Sequence, residues 1–439
     1  MLQANDSVQT RVHPLKSFAA PFARSRAFPY LWLGHLVSFL GSSVTMIILP
    51  VLVLTLTGST TVMGVVMAVY MLPNVLMLPV SGHLVDRLDR VKIMMVSDIA
   101  RFAVMGVISA LSLMGLLSIP LLCVLMGVYG MLDGLFQPAY AAVRAGVFTP
   151  DIRVAANSLT QMTTHTVRLI GPSLGGLLVT HLSAGVGFGI SSFTYLLSLV
   201  CLLYLRKAMS EARAAALLKE TPDASAAPVS VSPAEERAAD WKRDFTEGIA
   251  VLRSHPWLWI TILAFCFVNI CFSGISSVLL PWLFKIHHGW EPYVYGLGVT
   301  FSGVGAIIAG LLFGMRPRWR HRGMMAYGGA LLSGIALLAL PFANSPAAAV
   351  ALYALEGFGL MIFGLIWEIS LQELVPHEAF GRVASLDMLG SFALLPLGYV
   401  AVGWLADQVG GIPTIALFAG IGMAVVAGVL CVPAIRKFQ

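Results

Sequence analysis

The chain has 439 residues, of which 58% are hydrophobic and only 11% are charged. Because soluble domains contain about 25% charged residues, this composition excludes an ordinary soluble protein and indicates an integral membrane protein. The formal net charge of +6 would suit a nucleic-acid-binding protein, but the basic residues lie mainly in polar tails and in short turns between apolar segments. We therefore expect no nucleic-acid partner and take the lipid bilayer as the surroundings of the chain.

Apolar stretches of about 20 residues are long enough to cross a bilayer as helices, and this chain contains twelve of them. Their continuous apolar character favours helices over the alternating strands of a membrane barrel. The predicted fold class is an all-α integral membrane protein with spans at residues 30–55, 62–82, 93–117, 120–143, 156–181, 185–205, 257–284, 293–315, 324–343, 347–371, 385–407 and 413–435.

The first 27 residues are polar and basic, without a short apolar core followed by a cleavage site. We expect span 1 to be retained as a signal anchor. Between spans 6 and 7, residues 207–255 form a long polar segment with prolines among serines and alanines, which is typical of a flexible linker. Trp241, Phe245 and Ile249 recur at helical spacing and predict an amphipathic helix at 234–254. A solvated helix that only joins two halves is an equal alternative to a regulatory role.

The chain repeats itself. Pro29-Tyr30-Leu31-Trp32 recurs as Pro256-Trp257-Leu258-Trp259, and Arg153-Val154-Ala155 recurs as Arg382-Val383-Ala384. We refer to the separation between Pro29 and Pro256 as the repeat offset. Two parallel six-span repeats related by an axis along the membrane normal are the arrangement of major-facilitator transporters. The predicted organisation is an N-terminal tail at 1–27, a first half at 28–206, a linker at 207–255, a second half at 256–435 and a tail at 436–439.

Basic residues mark one side of the membrane. If the N-terminus is cytoplasmic, the turns on its side contain Arg87, Arg90, Lys92, Arg144, Arg153, Arg316, Arg318, Arg320, Arg322 and Arg382. The loops on the other side contain only Lys285. This asymmetry follows the positive-inside rule and predicts a multi-pass membrane protein with both termini in the cytoplasm. We expect the membrane to be the bacterial inner membrane.

The loop between spans 2 and 3 reads Gly-x-Leu-x-Asp-Arg-x-x-Arg-x-Lys, with Gly82, Asp86, Arg87, Arg90 and Lys92 at the characteristic positions. It resembles the signature of the major facilitator superfamily at the same loop. Gly82 is expected to allow close helix approach, and Asp86 to accept hydrogen bonds from a neighbouring helix N-terminus or an arginine. The basic residues would face the anionic inner leaflet. The alternative is a basic turn that only sets topology.

Span 5 contains Gly171-Pro172-x-x-Gly175-Gly176. This resembles the element associated, in the same superfamily, with exporters that work as antiporters. The proline bends the helix and frees a carbonyl group, and the glycines allow close packing against a neighbour. A small-residue packing face explains the glycines equally well. The resemblance implies an exporter rather than an importer.

Further segments resemble the macrolide-efflux and enterobactin-exporter branch of this superfamily. They are Phe245-x-Glu247-Gly248, Gln372-x-Leu374-Val375-Pro376, Leu395-Pro396-Leu397-Gly398 and Gly403-x-Leu405-Ala406-Asp407. The resemblance runs from about residue 28 to residue 435. It implies a secondary transporter that exchanges protons for a hydrophobic or amphiphilic compound, such as an antibiotic, another drug or a siderophore, by alternating access and without a cofactor. One departure is that no arginine lies in the body of span 4, where many proton-coupled exporters have one.

Ionisable residues inside the spans are candidate functional groups, because an Arg or Asp at the bilayer centre costs at least ~2.5–3.5 kcal/mol on insertion. Asp133 in span 4 and Arg168 in span 5 have similar depth, so we predict an ion pair that is either a structural clasp or a proton-sensitive switch. Glu356 in span 10 has no evident arginine partner in its half. It is the best single candidate for proton coupling or for binding a cationic substrate.

Other polar residues of the spans are secondary candidates. Glu368 and Asp387 lie near span ends, where they are either gate partners for Arg382 or wetted side chains. His35 could titrate near neutrality, although a packed, hydrogen-bonded histidine is the more common state. Asn74 and Asn269 could line a cavity between the halves.

Other classes of protein fit less well. The chain contains no Gly-x-Ser-x-Gly, His-Glu-x-x-His or phosphate-loop motif, so we expect no enzyme, and its five cysteines have no metal-site spacing. We therefore predict no metal and no cofactor, with a proton gradient as the energy source. The predicted partners are protons and a small-molecule substrate, and the predicted state is a monomer. A lysophospholipid flippase or a gradient-independent facilitator of the same fold stays open as the alternative.

Overall fold

The computed structural model describes residues 14–217, 252–253, 255–314, 321–375, 383, 386–388 and 390–436. Every regular element in these ranges is helical. The helices are α1 (Pro14–Arg24), α2 (Phe28–Thr57), α3 (Thr60–Arg87), α4 (Arg90–Leu113), α5 (Ile119–Val147), α6 (Arg153–His181), α7 (Ala184–Leu217), α8 (Pro256–His287, with two π-helical turns at Ile275–Leu279 and Leu283–His287), α9 (Pro292–Gly314), α10 (Arg322–Ala339), α11 (Pro346–Leu374), α12 (Leu395–Val409), α13 (Gly411–Leu430) and α14 (Pro433–Arg436).

The predicted spans 1 to 12 correspond to helices α2 to α13. Eleven described segments are long and apolar enough to cross a membrane. The remaining predicted span is α6, a helix of 29 residues whose hydropathy is lowered by polar residues such as Gln161, His165 and Arg168. A helix of this length spans about 43 Å, so α6 is long enough to cross. Its polar residues belong to the candidate site described below.

The structure differs from the sequence-based expectation in the N-terminal tail and at the end of α7. The tail expected at 1–27 contains α1, in which Phe22 packs edge-on against Phe28 at 5.1 Å and Trp32 at 5.5 Å between ring centroids. Helix α7 continues to Leu217, well beyond the predicted end of span 6. The predicted helix at 234–254, apart from residues 252–253, lies outside the described residues, as do Arg382 and residues 437–439.

The helices pack both within each half and between the halves. In the first half, α2 contacts α6 and α7, while α4 contacts α5 and α7. In the second half, α11 contacts α9 and α10, and α13 contacts α8 and α10. The repeat is visible in the helix bounds, since α5 and α11 both have 29 residues and their first residues, Ile119 and Pro346, are separated by the repeat offset.

The two halves meet closely at one end of the bundle, the end at which α2 finishes at Thr57 and α3 begins at Thr60. We refer to it as the closed end. At one junction, α3 lies against α12. A Cβ atom added to Gly64 would lie 2.2 Å from the Tyr399 carbonyl oxygen, and one added to Gly403 would lie 2.3 Å from the Thr60 carbonyl oxygen. Only glycine fits at either position without moving a helix.

At the second junction, α6 lies against α9. A Cβ atom on Gly296 would lie 2.4 Å from the Pro172 carbonyl oxygen, and one on Gly176 would lie 3.1 Å from the Pro292 carbonyl oxygen. Gly176 and Gly403 are separated by the repeat offset, so the two junctions occupy equivalent positions in the repeats. The halves are thus held at the closed end by two copies of one glycine-mediated crossing.

Candidate functional site

A buried ion-pair cluster lies between helices α4 and α5 of the first half. The Arg101 guanidinium donates to Asp98 Oδ1 at 2.6 Å and to Asp133 Oδ1 at 3.4 Å. Arg101 is 1% exposed, and the side chains of Asp98 and Asp133 are 0% and 17% exposed. The Asp98 carboxylate also accepts from Ser198 Oγ at 2.6 Å, and Asp133 accepts from the Tyr70 hydroxyl at 3.1 Å. One guanidinium therefore serves two carboxylates.

The predicted Asp133–Arg168 ion pair is wrong for this conformation, because the arginine bound to Asp133 is Arg101 of α4. Sequence reasoning missed Asp98 and Arg101, although they lie within predicted span 3. The signal was available, since Asp98 and Arg101 are spaced i,i+3 and so share one helix face. The insertion-cost argument applied to Asp133 applies to them as well.

Hydroxyl groups and aromatic rings complete the surroundings of Arg101. Its guanidinium lies 4.1 Å from the Phe136 ring centroid and 4.9 Å from that of Tyr195. The Tyr129 and Tyr195 hydroxyl groups are 2.7 Å apart, and Ser42 Oγ lies 3.0 Å from the Tyr195 hydroxyl. A continuous chain of hydroxyl groups from α2, α5 and α7 thus lies beside the ion-pair cluster.

Glu356 is buried in the second half, with 5% of its surface exposed. Its carboxylate accepts from Ser302 Oγ at 3.0 Å, and its backbone carbonyl accepts from Ser333 Oγ at 2.5 Å. Among the ion pairs of the described residues, none involves Glu356. Tyr129 is the residue that precedes Glu356 by the repeat offset, so the two occupy equivalent positions in the two halves.

Each half also has a cavity facing away from the closed end. The first-half cavity has a volume of about 280 Å³ and is lined by His35, Phe39, Gln137, Tyr140, Ala141, Arg144, Thr160, Gln161, Thr164 and Arg168. The second-half cavity has a volume of about 200 Å³ and is lined by Thr261, Phe265, Asn269, Leu360, Phe363, Gly364, Trp367, Asp387 and Ser391. Four lining pairs are related by the repeat offset: Gln137 and Gly364, Tyr140 and Trp367, Thr160 and Asp387, Thr164 and Ser391. The two cavities are therefore equivalent surfaces of the two halves.

The polar residues predicted as candidates lie in different places in the structure. His35 and Arg168 line the first-half cavity, and Asn269 and Asp387 line the second. Asn74 is in neither lining. It packs against α5, where its backbone carbonyl oxygen would lie 2.6 Å from a Cβ added to Gly134. In a separate contact, Glu368 is exposed and accepts from Gln372 Nε2 at 2.7 Å.

The α3–α4 turn carries the predicted loop motif but not every predicted contact. Among the described residues, no heavy atom lies within 4 Å of a Cβ added to Gly82, so its expected role in close helix approach stays a prediction. Asp89 caps α4 by accepting from the backbone N–H groups of Val91 and Lys92. The expected contact between Asp86 and a neighbouring helix stays a prediction.

The glycines of the span-5 motif pack α6 on two sides. A Cβ on Gly171 would lie 2.3 Å from Ser43 Oγ, and one on Gly175 would lie 3.0 Å from Ile47 Cβ, both on α2. Gly176 faces α9 of the other half at the second junction. The motif therefore forms a small-residue packing face that joins α6 both to its own half and to the opposite one.

Side-chain oxygens also join the halves at the closed end. The Asp407 carboxylate of α12 accepts from Ser59 Oγ at 2.5 Å, from Thr60 N at 2.9 Å and Oγ1 at 2.6 Å, and from Thr61 N at 2.9 Å. It thus caps the N-terminus of α3 from the other half. Lys285 adds a further contact, since its ammonium group donates to Thr55 Oγ1.

At the equivalent position of the other junction, Thr180 Oγ1 accepts from Tyr293 N of α9 at 3.0 Å. Thr180 and Asp407 are separated by the repeat offset. Each junction therefore has one side-chain cap that reaches across the halves, charged in one case and neutral in the other.

Comparison with known proteins decides the family. Residues 31–394 match the model of the Major Facilitator Superfamily. The chain belongs to this superfamily. It is therefore a membrane transporter and not an enzyme.

Several bacterial transporters are similar to it along most of their length. The Bacillus subtilis protein named uncharacterized MFS-type transporter YfiS is 29% identical over 79% of each chain. The multidrug efflux pump Tap of Mycolicibacterium fortuitum is 24% identical over 84% of this chain and 87% of its own. Macrolide efflux protein A of Streptococcus pyogenes is 21% identical over 87% of this chain and 90% of its own.

Solved structures share the fold at low sequence identity. A bacterial homologue of the iron transporter ferroportin, in an inward-facing state, has a TM-score of 0.68 at 17% identity and covers 92% of this chain and 98% of its own. The peptide transporter POT in complex with sulfate has a TM-score of 0.67 at 14% identity and covers 97% of this chain and 99% of its own. The twelve-helix architecture of the superfamily, with two six-helix repeats, is thus confirmed for this chain.

Proposed function

We propose that this transporter exports hydrophobic or amphiphilic small molecules, such as antibiotics or siderophores, in exchange for protons. The observation that carries the proton coupling is the guanidinium of Arg101 shared by two buried carboxylates. Export is supported by the similarity to a multidrug efflux pump and to a macrolide efflux protein. The antiporter-type motif at the α6–α9 junction supports the same direction.

The closed end is proposed to face the outside of the cell. The turns at the opposite end carry Arg87, Arg90 and Arg153, whereas Lys285 lies in the last turn of α8 at the closed end. By the positive-inside rule, the opposite end and both termini are cytoplasmic. In this orientation the described conformation is inward-facing, and both cavities open towards the cytoplasm to collect substrate.

Charge balance favours proton exchange at the Arg101 cluster. With every group ionised, Asp98, Arg101 and Asp133 carry a net charge of −1, and burying an uncompensated charge costs several kcal/mol. One proton brings the cluster to neutrality. Asp133 is the proposed exchange group, because it is more exposed than Asp98 and lies farther from the guanidinium. Asp98, held at 2.6 Å, acts as the clasp.

Protonation of Asp133 would link the proton to movement. It removes the attraction between α5 and Arg101 of α4, while the bond between Arg101 and Asp98 within α4 stays intact. Helix α5 is then free to shift against α4, and the first half can rock relative to the second. Glu356, whose carboxylate has the Ser302 hydroxyl as its partner, is the proposed second proton site.

The test uses the full-length transporter in proteoliposomes with a pH-sensitive dye, an imposed proton gradient and a panel of drugs, siderophores and lysolipids. We expect a compound of one class to trigger proton movement in the wild type. We expect this movement to be lost in Asp133→Asn, which retains an acceptor for Tyr70, and reduced in Glu356→Gln. Asp151→Asn, an exposed carboxyl group outside the spans, is the matched control.

Wild-type proton-driven efflux in both variants would remove these two acids from the mechanism. A silent dye across the panel, with lipid translocation continuing at zero gradient, would instead support the flippase alternative. Glu356 would then be a structural acid.

A further inference from the structure

We infer that the first-half cavity binds an anionic group, a carboxylate or a phosphate, of the transported compound. The substrate class would be an amphiphilic anion. This inference rests on the proposed export function, and it adds which chemical group is recognised and which helices recognise it.

Two arginines place positive charge on this cavity. Arg144 of α5 and Arg168 of α6 both line it, and the lining contains no acidic residue. Neither arginine forms an ion pair with a described carboxylate. Arg168 lies midway along α6, roughly 22 Å from the start of the helix. The Arg168 side chain is exposed in the cavity, so its guanidinium can donate charge-assisted hydrogen bonds to an anion that enters.

A third residue of the lining, His35, has a polar atom without a hydrogen-bond partner among the described residues. His35 is 8% exposed, and its Nδ1 atom is buried without a hydrogen-bond partner among the described residues. Its ring is held in place by stacking on Tyr140 at 4.0 Å between centroids. Because buried polar atoms are normally hydrogen-bonded, this nitrogen indicates that the cavity receives a polar ligand group. The observation is independent of the arginine charges.

The second-half cavity fits the rest of such a molecule. The Phe265 and Phe363 rings stack there at 3.5 Å between centroids, and Trp367 lies 6.3 Å beyond Phe363. These rings form an apolar wall for a hydrophobic body. Asp387, which accepts from Trp367 Nε1 at 3.1 Å, repels an anion from this side. Both features place the anionic end of an amphiphile against the first half.

Binding is tested on the full-length transporter in nanodiscs with three dansyl-labelled probes of equal chain length. One probe carries a carboxylate, one a phosphate and one a neutral amide, and binding is followed by energy transfer from tryptophan to dansyl. We expect Arg168→Gln and Arg144→Gln each to weaken binding of at least one anionic probe about tenfold or more, since a hydrogen bond to a charged group is worth about 1.5–3 kcal/mol. The neutral probe should bind equally to all variants.

Two controls keep the result interpretable. Arg206→Gln removes an exposed arginine of α7 outside the cavity and should leave every probe unchanged. Arg168→Lys keeps the charge and should recover part of the binding lost in Arg168→Gln. The relative loss for the carboxylate and phosphate probes identifies which anion the cavity takes.

Unchanged anion binding in both glutamine variants, or equal losses for the neutral probe, would overturn the inference. Since this assay needs no gradient, its outcome is separate from that of the proton-movement assay. Arginine-dependent anion binding without proton movement would leave the inference standing and remove the proton coupling.

Discussion

At the residue scale, the Asp98–Arg101 pair is expected to stabilise the first half. Asp98→Asn removes the charge partner held at 2.6 Å and leaves Arg101 with the more distant Asp133. Because Asp133 still balances the charge of Arg101, the expected loss is that of one hydrogen bond between charged groups, about 1.5–3 kcal/mol. We therefore expect a fall in the melting temperature of the purified protein. The measurement is a thermal unfolding series in detergent. Asp151→Asn, at a side chain that is 49% exposed, should melt like the wild type, and equal melting of both variants would contradict the prediction.

The same residues show what sequence can reveal about single side chains. The depth of Asp133 is readable from its place in a span, so its role as a buried ionisable group could be expected. Its partner could not, because the choice between Arg101 and Arg168 depends on how α4, α5 and α6 rotate and pack. The expectation that Glu356 has no arginine partner rests on the sequence, since the second half has no arginine at that depth.

At the element scale, the junction glycines are expected to set how closely the halves approach. Gly64→Ala would place a Cβ atom 2.2 Å from the Tyr399 carbonyl oxygen, which forces α3 and α12 apart. Overpacking of this kind costs about 1–3 kcal/mol, and it should weaken the closed end selectively. Spin labels at Leu56 and Glu291, one on each half near this end, should report a larger population of long distances.

Gly420→Ala is the matched control, because a Cβ at that position meets no heavy atom of the described residues within 4 Å. It should leave the distance distribution unchanged. An unchanged distribution in Gly64→Ala as well would show that α3 and α12 can absorb the extra methyl group at this junction.

The number and order of the helices could be read from the sequence. Each membrane helix forms its backbone hydrogen bonds within itself and needs a long run of apolar residues to face the lipid. The role of individual glycines could not. Gly82 belongs to the recognised loop motif, yet no heavy atom of the described residues lies within 4 Å of a Cβ added there. Gly64 and Gly296 belong to no recognised motif and mediate close crossings. Contacts between distant helices decide which glycines matter.

At the scale of the whole molecule, alternating access requires that the contacts between the halves at the closed end break and re-form. Asp407 accepts four hydrogen bonds from Ser59, Thr60 and Thr61 across the halves, and its repeat counterpart Thr180 accepts one from Tyr293 N. The parallel repeats made equivalent junctions predictable. The difference between the two caps was not predictable, because the repeat relates positions in the sequence and does not show which side chains of the two halves are in contact.

Asp407→Ala is therefore expected to shift the conformational equilibrium more than Thr180→Ala. Loss of an N-cap costs about 0.5–2 kcal/mol, which corresponds to a roughly 2- to 30-fold change in the ratio of closed to open molecules. Thr180→Ala removes a single hydrogen bond across the halves, so its shift should lie near the lower end of this range. The labels at Leu56 and Glu291 measure both populations. Equal shifts in the two variants would mean that the charge of Asp407 adds nothing to closure.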